Sequence, residues 1–468
     1  MKNVAKSLML FAGTAMLADA SFASGYGFAA QSASNLGLAN SGGAAAQDAT
    51  TIFYNPAGLS RLPGVQASGV FNYQKQNNSF ADTGSLTVLG APSGGNNGGN
   101  FSRSVAEPHA FFSYQFNDKV TFGMGIFIPY QLHTKYQDGW AGRYQSTESK
   151  IQTRTFNPSL AYKMNEIITF GAGISAQYFD ATVAKGLDLG SGSIAQINAN
   201  PNLPAANKAA IIAAIRNGLG TNPSLYDGAF SVSGDDWAWG VNVGLLLTLS
   251  EDTRLGLAYR SSIKHTVHGK TAFVVPTSIG TIPAAGPTIL AGLNAALQPT
   301  DATLPIETPD TMSVNLYHRI NPQWAVTGDY TLTKTSRLQE LRVSLAGAPD
   351  NVIAARWRDS SRFSFGGMYQ PDAKWTFSAG IAREQASQRD DTERLASIPD
   401  GDKTWFSFGV RHAFDAKHSL DIAGALIRGN DFNIARGALT STEVTSGKVN
   451  GQYSQKSWMV GIQYNHRF

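Results

Sequence analysis

Residues 458–468 read WMVGIQYNHRF. Side chains alternate between the two faces of a strand. One face therefore carries Trp458, Val460, Ile462, Tyr464, His466 and Phe468, and the other carries mostly small or polar residues. A soluble edge strand rarely leaves such an apolar face unprotected, whereas a barrel strand in a membrane needs it because its outer side contacts lipid. The stretch predicts an all-β membrane protein.

The same alternation recurs along the chain, for example at residues 169–178, 237–249, 324–332 and 375–381. Such segments are about ten residues long, as in transmembrane barrels. We count fourteen of them, joined alternately by short turns and long connections. The alternative, a soluble β-sandwich, has strands of about 5–6 residues. We predict a 14-stranded antiparallel transmembrane β-barrel, with tight turns on the periplasmic side and long loops outside.

Composition narrows the class further. The chain has 468 residues, 48 glycines, 15% charged residues and a net charge of +4, which is too small a charge to indicate a nucleic-acid partner. The absence of cysteine excludes disulfides and thiolate metal sites. No segment after the N-terminus has the roughly 18 uninterrupted apolar residues of a transmembrane helix.

The N-terminus predicts export. Lys2 and Lys6 precede a short apolar run at residues 8–17, and small residues follow up to Ala23. We expect a signal peptide over residues 1–23, cleaved after Ala23 or, as a second choice, after Ala20. Together with the strand pattern, this places the protein in the outer membrane of a Gram-negative bacterium.

Residues 24–62 do not alternate and are rich in Gly, Ala, Ser and Asn. The lumen of a fourteen-stranded barrel is too wide for wall side chains to fill, so we expect this segment to fold back as a plug inside a barrel of residues 63–468. A floppy tail is the alternative, but Phe28, Leu36, Ile52 and Leu59 give the segment apolar residues to bury.

Several short motifs resemble one family. They are GF at 27–28, LGLANSG at 36–42, NPA at 55–57, AYRS at 258–261, PQWA at 322–325, WTFSAGIA at 375–382 and SIPD at 397–400. In this order they resemble the FadL-type long-chain fatty-acid transporters of the outer membrane, over essentially the whole mature chain. The resemblance implies passive, plug-gated uptake with lateral release into the membrane and no cofactor. The ending on Phe468 resembles the signal read by the barrel-assembly machinery.

The resemblance also implies binding and gating residues. Lys185 and Arg342 would face the internal pocket and hold the carboxylate of a fatty acid, although Lys lacks the bidentate fork of Arg. Phe28 would line the inner end of the pocket. Asn55, Pro56 and Ala57 would fix the plug against the wall.

Two long connections contain apolar, helix-like segments, at residues 205–219 and 288–297. In each segment, apolar residues recur at helical spacing and would form a stripe on one face of a helix. The first stripe includes Ile211, Ile212, Ile215 and Leu219, and the second includes Ile289, Leu293 and Leu297. Exposed apolar helices favour binding, but the two could equally pack on each other as a lid. The resemblance favours an external groove that captures substrate past the lipopolysaccharide layer.

The third strand contains Gly123, Gly125 and Pro129. Proline donates no ladder hydrogen bond and glycine gives little side-chain cover. A local break there would open the wall for lateral release, as the resemblance implies. Pro129 could instead merely end the strand, and Pro158 in the next strand has the same defect.

Three other functions are weaker predictions. An aromatic-hydrocarbon channel of the same fold would need no cation for a head group. An outer-membrane lipid hydrolase or protease would need a nucleophile beside a histidine, but the eight histidines are scattered and no HExxH motif occurs. A hydrophilic porin would be obstructed by the plug. We therefore expect neither enzymatic activity nor a metal.

Overall fold

The computed structural model describes Gly27, residues 30–347 and residues 349–468. In these residues the wall is a closed barrel of fourteen antiparallel strands, which confirms the predicted fold class. The strands are β1 Val65–Asp82, β2 Val105–Gln115, β3 Val120–Phe127 continued by Gln131–Lys135, β4 Glu148–Lys163, β5 Ile168–Asp188, β6 Asp227–Thr248, β7 Thr253–Arg260 continued by Ile263–Val274, β8 Asp301–Thr308 continued by Thr311–Arg319, β9 Trp324–Thr333, β10 Ser360–Tyr369, β11 Trp375–Glu384, β12 Lys403–Ala413, β13 His418–Gly429 and β14 Val449–Arg467.

The last strand closes the barrel on the first. Pairing of β1 with β14 runs from Gln66↔Arg467 to Asp82↔Gly451, so neither strand leaves an open edge. Burial alternates along β14 as predicted. Ile462 is 45% exposed on the outside, whereas Gln463 is fully buried on the inside.

The two ends of the barrel differ, and we call them the turn end and the loop end. At the turn end, an Asn, Asp or Ser side chain in each short turn accepts hydrogen bonds from main-chain N–H groups two and three residues later. These residues are Asn117, Asn165, Ser250, Asn321, Asp372 and Asp415. Local turn chemistry thus fixes the register of six hairpins.

At the loop end, several strands extend beyond their predicted limits. Strand β6 begins at Asp227, before the alternation at residues 237–249, and β14 begins at Val449, before the apolar stretch at residues 458–468. The main-chain hydrogen bonds between these strands continue past the point at which the outward-facing side chains cease to be apolar. The sequence pattern therefore marks only the part of each strand that carries the apolar outer face.

The long connections at the loop end carry additional elements. Their helices are α3 Leu189–Ala199, α4 Ala205–Thr221 and α5 Gly286–Ala296, with 3-10 turns at Thr277–Thr281, Thr335–Arg337 and Glu443–Ser446 and short strands at Glu340–Leu345, Asn351–Ala354 and Phe432–Arg436. Helices α4 and α5 match the two predicted segments, and α3 was not predicted. Within the described residues, no helix combines the length and the apolarity needed to cross a membrane.

Residues 30–62 pack inside the barrel as a plug. Its elements are α1 Ala33–Leu36, α2 Thr51–Tyr54 and a 3-10 helix at Pro56–Arg61. The side chain of Ser32 caps α1, and that of Asn55 caps the 3-10 helix. Apolar plug residues such as Ile52 and Leu59 are fully buried against the wall.

Candidate functional site

Glycines on the inner face of the wall let the plug approach closely. A Cβ atom added at Gly171 of β5 would lie 2.2 Å from the nitrogen of Ala57, and one at Gly244 of β6 would lie 2.1 Å from Oδ1 of Asn55. No side chain fits at such distances. These wall positions are therefore shaped to receive the plug.

Asn55 joins the plug to two strands. Its side-chain amide donates to the oxygen of Leu245 in β6 at 3.1 Å and to that of Leu257 in β7 at 3.4 Å. Its Oδ1 atom accepts from the nitrogen of Ala57 at 3.0 Å. Asn55, Pro56 and Ala57 are all buried. The predicted trio thus lies against the wall, and its role in gating stays a prediction.

Four arginines from three wall strands, β7, β10 and β12, also hold the plug, and the sequence reasoning did not identify them. Each donates to a plug oxygen: Arg254 to Ala44 at 3.0 Å and Ala45 at 3.1 Å, Arg260 to Phe53 at 3.2 Å, Arg362 to Ala39 at 2.8 Å, and Arg411 to the Asp48 carboxylate at 2.7 Å. Charged donors make the stronger class of hydrogen bond. The plug is therefore fastened from several sides.

The Asp48 carboxylate is the charged contact of this set. Burial alone would raise the pKa of Asp48, but Arg411 and the hydroxyl of Thr50 hold that pKa below its ordinary value. Arg411 also pairs with Asp421 of β13 at 2.6 Å. The guanidinium thus links two wall strands to the plug through two carboxyl groups.

Beside the plug lies a cavity with an empty volume of about 1030 Å³, part of it open to solvent. We call it the lumenal cavity. Its lining is a mixture of aromatic, polar and charged side chains, among them Phe53, Tyr54, Pro129, Tyr130, Arg260, Asn315, Asp329 and Arg362. Burial raises the pKa of Tyr54 to about 12, so this phenol stays neutral at physiological pH.

Two guanidinium groups line the lumenal cavity. That of Arg260 lies 5.1 Å from the ring centres of both Phe53 and Phe127, and that of Arg362 lies 4.8 Å from the Trp405 ring. In the described part of the chain, neither forms an ion pair within 4.0 Å of a carboxylate. The cavity thus holds two guanidinium groups that form no direct ion pair within the described residues, although the carboxyl groups of Asp329 and Glu384 also belong to its lining.

The two predicted cations lie elsewhere, and neither lines the lumenal cavity. Arg342 is in the hairpin beyond β9, where its side chain is partly exposed and pairs with Glu340 at 2.7 Å and Asp350 at 2.9 Å. Lys185 lies in the loop-end extension of β5 and donates to Oγ of Ser446 at 3.2 Å. Their binding of a carboxylate stays a prediction, and Phe28 lies outside the described residues.

Strand β3 is interrupted between Phe127 and Gln131, where Pro129 lies. Its pairing with β2 ends at Ala110↔Ile126, although β2 continues to Val105. Beyond that point, the continuation of β3 pairs with β4, and the other described contacts are isolated bridges, Gly27↔Tyr130 and Ser102↔Thr134. We call this interruption the wall break.

Pro158 leaves the wall intact. It stays in register opposite Met124, and the β4–β5 register is the same on both sides of it. The neighbouring Asn157 donates its side-chain amide to the oxygen of Ile174 at 3.0 Å, which takes the place of the donor that proline lacks. Of the two prolines, Pro129 is the one at the break.

The start of the plug covers the wall break. Gln31 donates its side-chain amide to the oxygen of Ile128 at 2.8 Å and accepts from the nitrogen of Ile128 at 3.3 Å. Gly123 faces the plug, where an added Cβ would meet Ile52 and Leu59 at 2.8 Å. At Gly125, an added Cβ would lie 3.0 Å from the Phe127 ring. These two glycines provide space inside the wall beside the break.

The loop-end helices pack on one another. Ile211 and Ile215 of α4 are buried together with Ile194 and Ile197 of α3 and Ile289 of α5. Ile212 and Leu293 are half-buried at the edge of this cluster. The predicted stripes therefore meet, and only their edge residues retain a partly exposed surface.

These features define a class: an outer-membrane β-barrel with an internal plug, a lumenal cavity and a break in its wall. The chain belongs to the family described as outer membrane protein transport protein (OMPP1/FadL/TodX), whose model matches residues 14–468. This confirms the predicted family.

Known proteins resemble the chain over most of its length. It is 27% identical over 459 residues to the long-chain fatty acid transport protein of Escherichia coli K12, covering 97% of this chain and 96% of that protein. A FadL homologue of Pseudomonas aeruginosa superposes with a TM-score of 0.81 at 21% identity, covering 95% and 100% of the two chains. The Pseudomonas putida toluene transporter TodX superposes with a TM-score of 0.60 at 18% identity, covering 90% of this chain and 94% of that chain. At these identities the two structures support the fold alone.

Proposed function

We propose that this protein takes up long-chain fatty acids through the outer membrane by passive, plug-gated diffusion. One observation carries the proposal: Arg260 and Arg362 line the lumenal cavity together with aromatic side chains, and neither forms an ion pair with a carboxylate of the described residues. A buried charge is costly unless it is paired. A ligand carboxylate would supply the missing charge, and the alkyl chain would lie along Phe53, Pro129 and Tyr130. The whole-length similarity to the E. coli fatty acid transport protein supports the same substrate class.

Carboxylate binding would be coupled to the plug. Arg260 and Arg362 already donate to the main-chain oxygens of Phe53 and Ala39. A carboxylate is a stronger acceptor than a neutral carbonyl, so it competes with the plug for both guanidinium groups. Binding would then weaken two of the four arginine contacts that fasten the plug. A neutral hydrocarbon would leave these contacts in place.

Release would occur sideways through the wall break. Pro129 and Tyr130 line the lumenal cavity and also belong to the interrupted part of β3. Movement of Gln31 away from Ile128 would join the cavity to the lipid outside. The alkyl chain then passes from cavity to bilayer without re-entering water, so the concentration gradient suffices and no ATP or cofactor is needed.

Capture would occur at the loop end, which we orient toward the cell exterior. Ile212 and Leu293 offer partly exposed apolar surface there, whereas Ile215 is fully buried and holds the helices together. A fatty acid could bind at this edge, past the lipopolysaccharide layer, before it enters the lumen. Lys185, in the same half of the barrel, would attract its carboxylate.

A second candidate function is uptake of aromatic hydrocarbons. It is favoured by the aromatic side chains of Phe53, Tyr54 and Tyr130 in the lumenal cavity. Such a ligand would bind through ring contacts and would not need Arg260 or Arg362. The two candidates therefore differ in their dependence on these two residues.

Equilibrium binding to purified protein in detergent separates the candidates. We expect Arg260→Gln and Arg362→Gln each to weaken oleate binding about tenfold, equivalent to roughly 1.4 kcal/mol, and to leave methyl oleate and toluene binding unchanged. Arg428→Gln, at an exposed position on β13, is the matched control. Equal losses for oleate and methyl oleate would refute the assignment of the carboxylate, and tight toluene binding with weak oleate binding would favour the second candidate.

A further inference from the structure

A second cavity occupies the loop-end half of the lumen, with an empty volume of about 830 Å³. We call it the amide chamber. Its lining combines polar residues with apolar ones; the polar residues include Gln74, Gln76, Asn78, Gln131, Gln455 and Ser457, and the apolar residues include Phe101, Leu132, Trp405 and Ile427. The chamber adjoins the lumenal cavity, because Gly27 and Glu384 line both. A lining that offers both polar and apolar side chains suits an amphiphile.

Most polar groups of the chamber bind one another. The side-chain amide of Asn78 donates to Gln76 at 3.2 Å and to Ser102 at 2.6 Å. The amide of Gln74 donates to Ser457 at 3.4 Å. These groups form a connected surface along β1 and β14 and leave few sites for a ligand.

Two side-chain amide oxygens of the chamber have no hydrogen-bond donor among the described residues. Gln455 donates its Nε2 group to the oxygen of Pro399 at 2.9 Å, which fixes the orientation of its amide. Its Oε1 atom is buried and has no hydrogen-bond partner among the described residues, and the same holds for Oε1 of Gln131. Gln455 itself is 7% exposed. Buried acceptors are normally satisfied, so these two call for a donor from outside the chain.

The charged groups of the chamber already have partners among the described residues. Lys403 is the cation of its lining and pairs with Asp400 at 2.9 Å. Glu384 accepts from the indole of Trp405 at 2.8 Å. An ionised carboxylate would therefore find no free cation here, in contrast to the lumenal cavity with its two guanidinium groups.

We propose that the amide chamber binds uncharged amphiphiles whose head groups donate hydrogen bonds through hydroxyls, such as monoacylglycerols. The hydroxyls would donate to Oε1 of Gln455 and Gln131, and the acyl chain would lie against Phe101, Leu132 and Ile427. This goes beyond fatty-acid uptake, because it assigns a second head-group chemistry to a separate cavity. The lumen would then accept two classes of lipid, one at each cavity.

Quenching of Trp405 tests this proposal, because its indole lines the chamber. The probe is a monoacylglycerol whose 18-carbon chain carries two bromine atoms, and the comparison ligand is the methyl ester of the same brominated acid, which has no donor. We expect the monoacylglycerol to quench fluorescence at concentrations at least fivefold lower than the ester. The quenching that Trp405→Phe removes comes from ligand close to this indole, and its dependence on Gln455 and Gln131 assigns it to the chamber rather than to the adjoining lumenal cavity.

Variants of the two acceptors complete the test. Gln455→Met and Gln131→Met should each raise the concentration of monoacylglycerol required by about fivefold and leave the ester unaffected. Gln131→Met keeps the test decisive if Gln455→Met misfolds through loss of the contact with Pro399. Circular dichroism verifies the barrel of each variant.

Three results would overturn the proposal: equal binding of ester and monoacylglycerol, equal losses for both ligands in the variants, or preference for a brominated alkylammonium, which would assign the chamber to a cationic head group. Arg260→Gln separates this proposal from the fatty-acid proposal. It should leave quenching by monoacylglycerol intact although it weakens oleate binding.

Discussion

Asn55 in the plug donates a hydrogen bond to the main-chain oxygen of Leu245, 3.1 Å away in the barrel wall. The contact is possible because the wall residue opposite Asn55 is Gly244, which has no side chain. The plug and the wall are thus complementary at the level of single atoms. We expect a plug held in this way to move as a unit once a ligand replaces its contacts with the wall.

Gly244→Ala should displace the plug. The new Cβ would lie 2.1 Å from Oδ1 of Asn55, far inside van der Waals contact, so the plug must shift. We expect higher single-channel conductance of small ions in planar bilayers. The control is Gly69→Ala in β1, where an added Cβ meets nothing within 4 Å. Equal conductance of the two variants would show that the plug does not depend on this contact.

Asn55→Ala should reduce uptake without loss of surface expression. The change removes the hydrogen bonds to Leu245, Leu257 and Ala57 and leaves buried groups unpaired, at a cost of about 1–3 kcal/mol to the seated plug. Uptake of labelled oleate by cells that lack their own transporter is the measurement. Pro56→Ala should act in the same direction, and normal uptake in both variants would refute a gating role for this segment.

Asp48→Asn should loosen the plug at neutral pH. The pKa of Asp48 in the folded protein lies below its ordinary value of 3.8, so its contribution to stability is complete above that pH and is lost as the pH falls through the lowered pKa. The wild-type plug should therefore resist protease at pH 7 and become accessible only in strong acid.

The Asp48→Asn variant should be accessible to protease at pH 7 already. Its control is Asp118→Asn in an exposed turn. If protease releases the plug of wild type and of Asp48→Asn at the same rate, the pair with Arg411 does not anchor it.

A disulfide across the wall break should block transport reversibly. Gly27 and Tyr130 form an antiparallel bridge, and neighbouring strand residues can meet the geometry of a disulfide. Because the chain has no cysteine, the double variant Gly27→Cys with Tyr130→Cys has only one possible disulfide. We expect oleate uptake to fall on oxidation and recover with reductant, whereas the single variant Gly27→Cys should not respond. Uptake that is independent of oxidation would exclude movement of this segment.

The wall could be read from the sequence because each strand carries its own local pattern. Alternation predicted all fourteen strands, and Pro129 pointed to the interruption of β3, since its missing donor is a property of the residue itself. The extensions at the loop end were missed because they lack an apolar outer face. Helix α3 has no strong apolar stripe and was missed for the same reason.

The local pattern of a single strand could not show which cations line the lumenal cavity. Arg260 and Arg362 are about a hundred positions apart in the chain, and only closure of the barrel brings them to one cavity. A usable signal did exist, because both fall on inward positions of strands, where a charge needs a partner. Lys185 and Arg342 lie beyond the apolar parts of their strands, a position that separates them from the cavity.

The most direct test of the central claim is a crystal structure with a brominated 18-carbon fatty acid, in which anomalous scattering locates the bromine. We expect bromine in the lumenal cavity and the carboxylate within hydrogen-bond distance of Arg260 and Arg362. Bromine found only at the loop-end helices, or a carboxylate remote from both arginines, would contradict it.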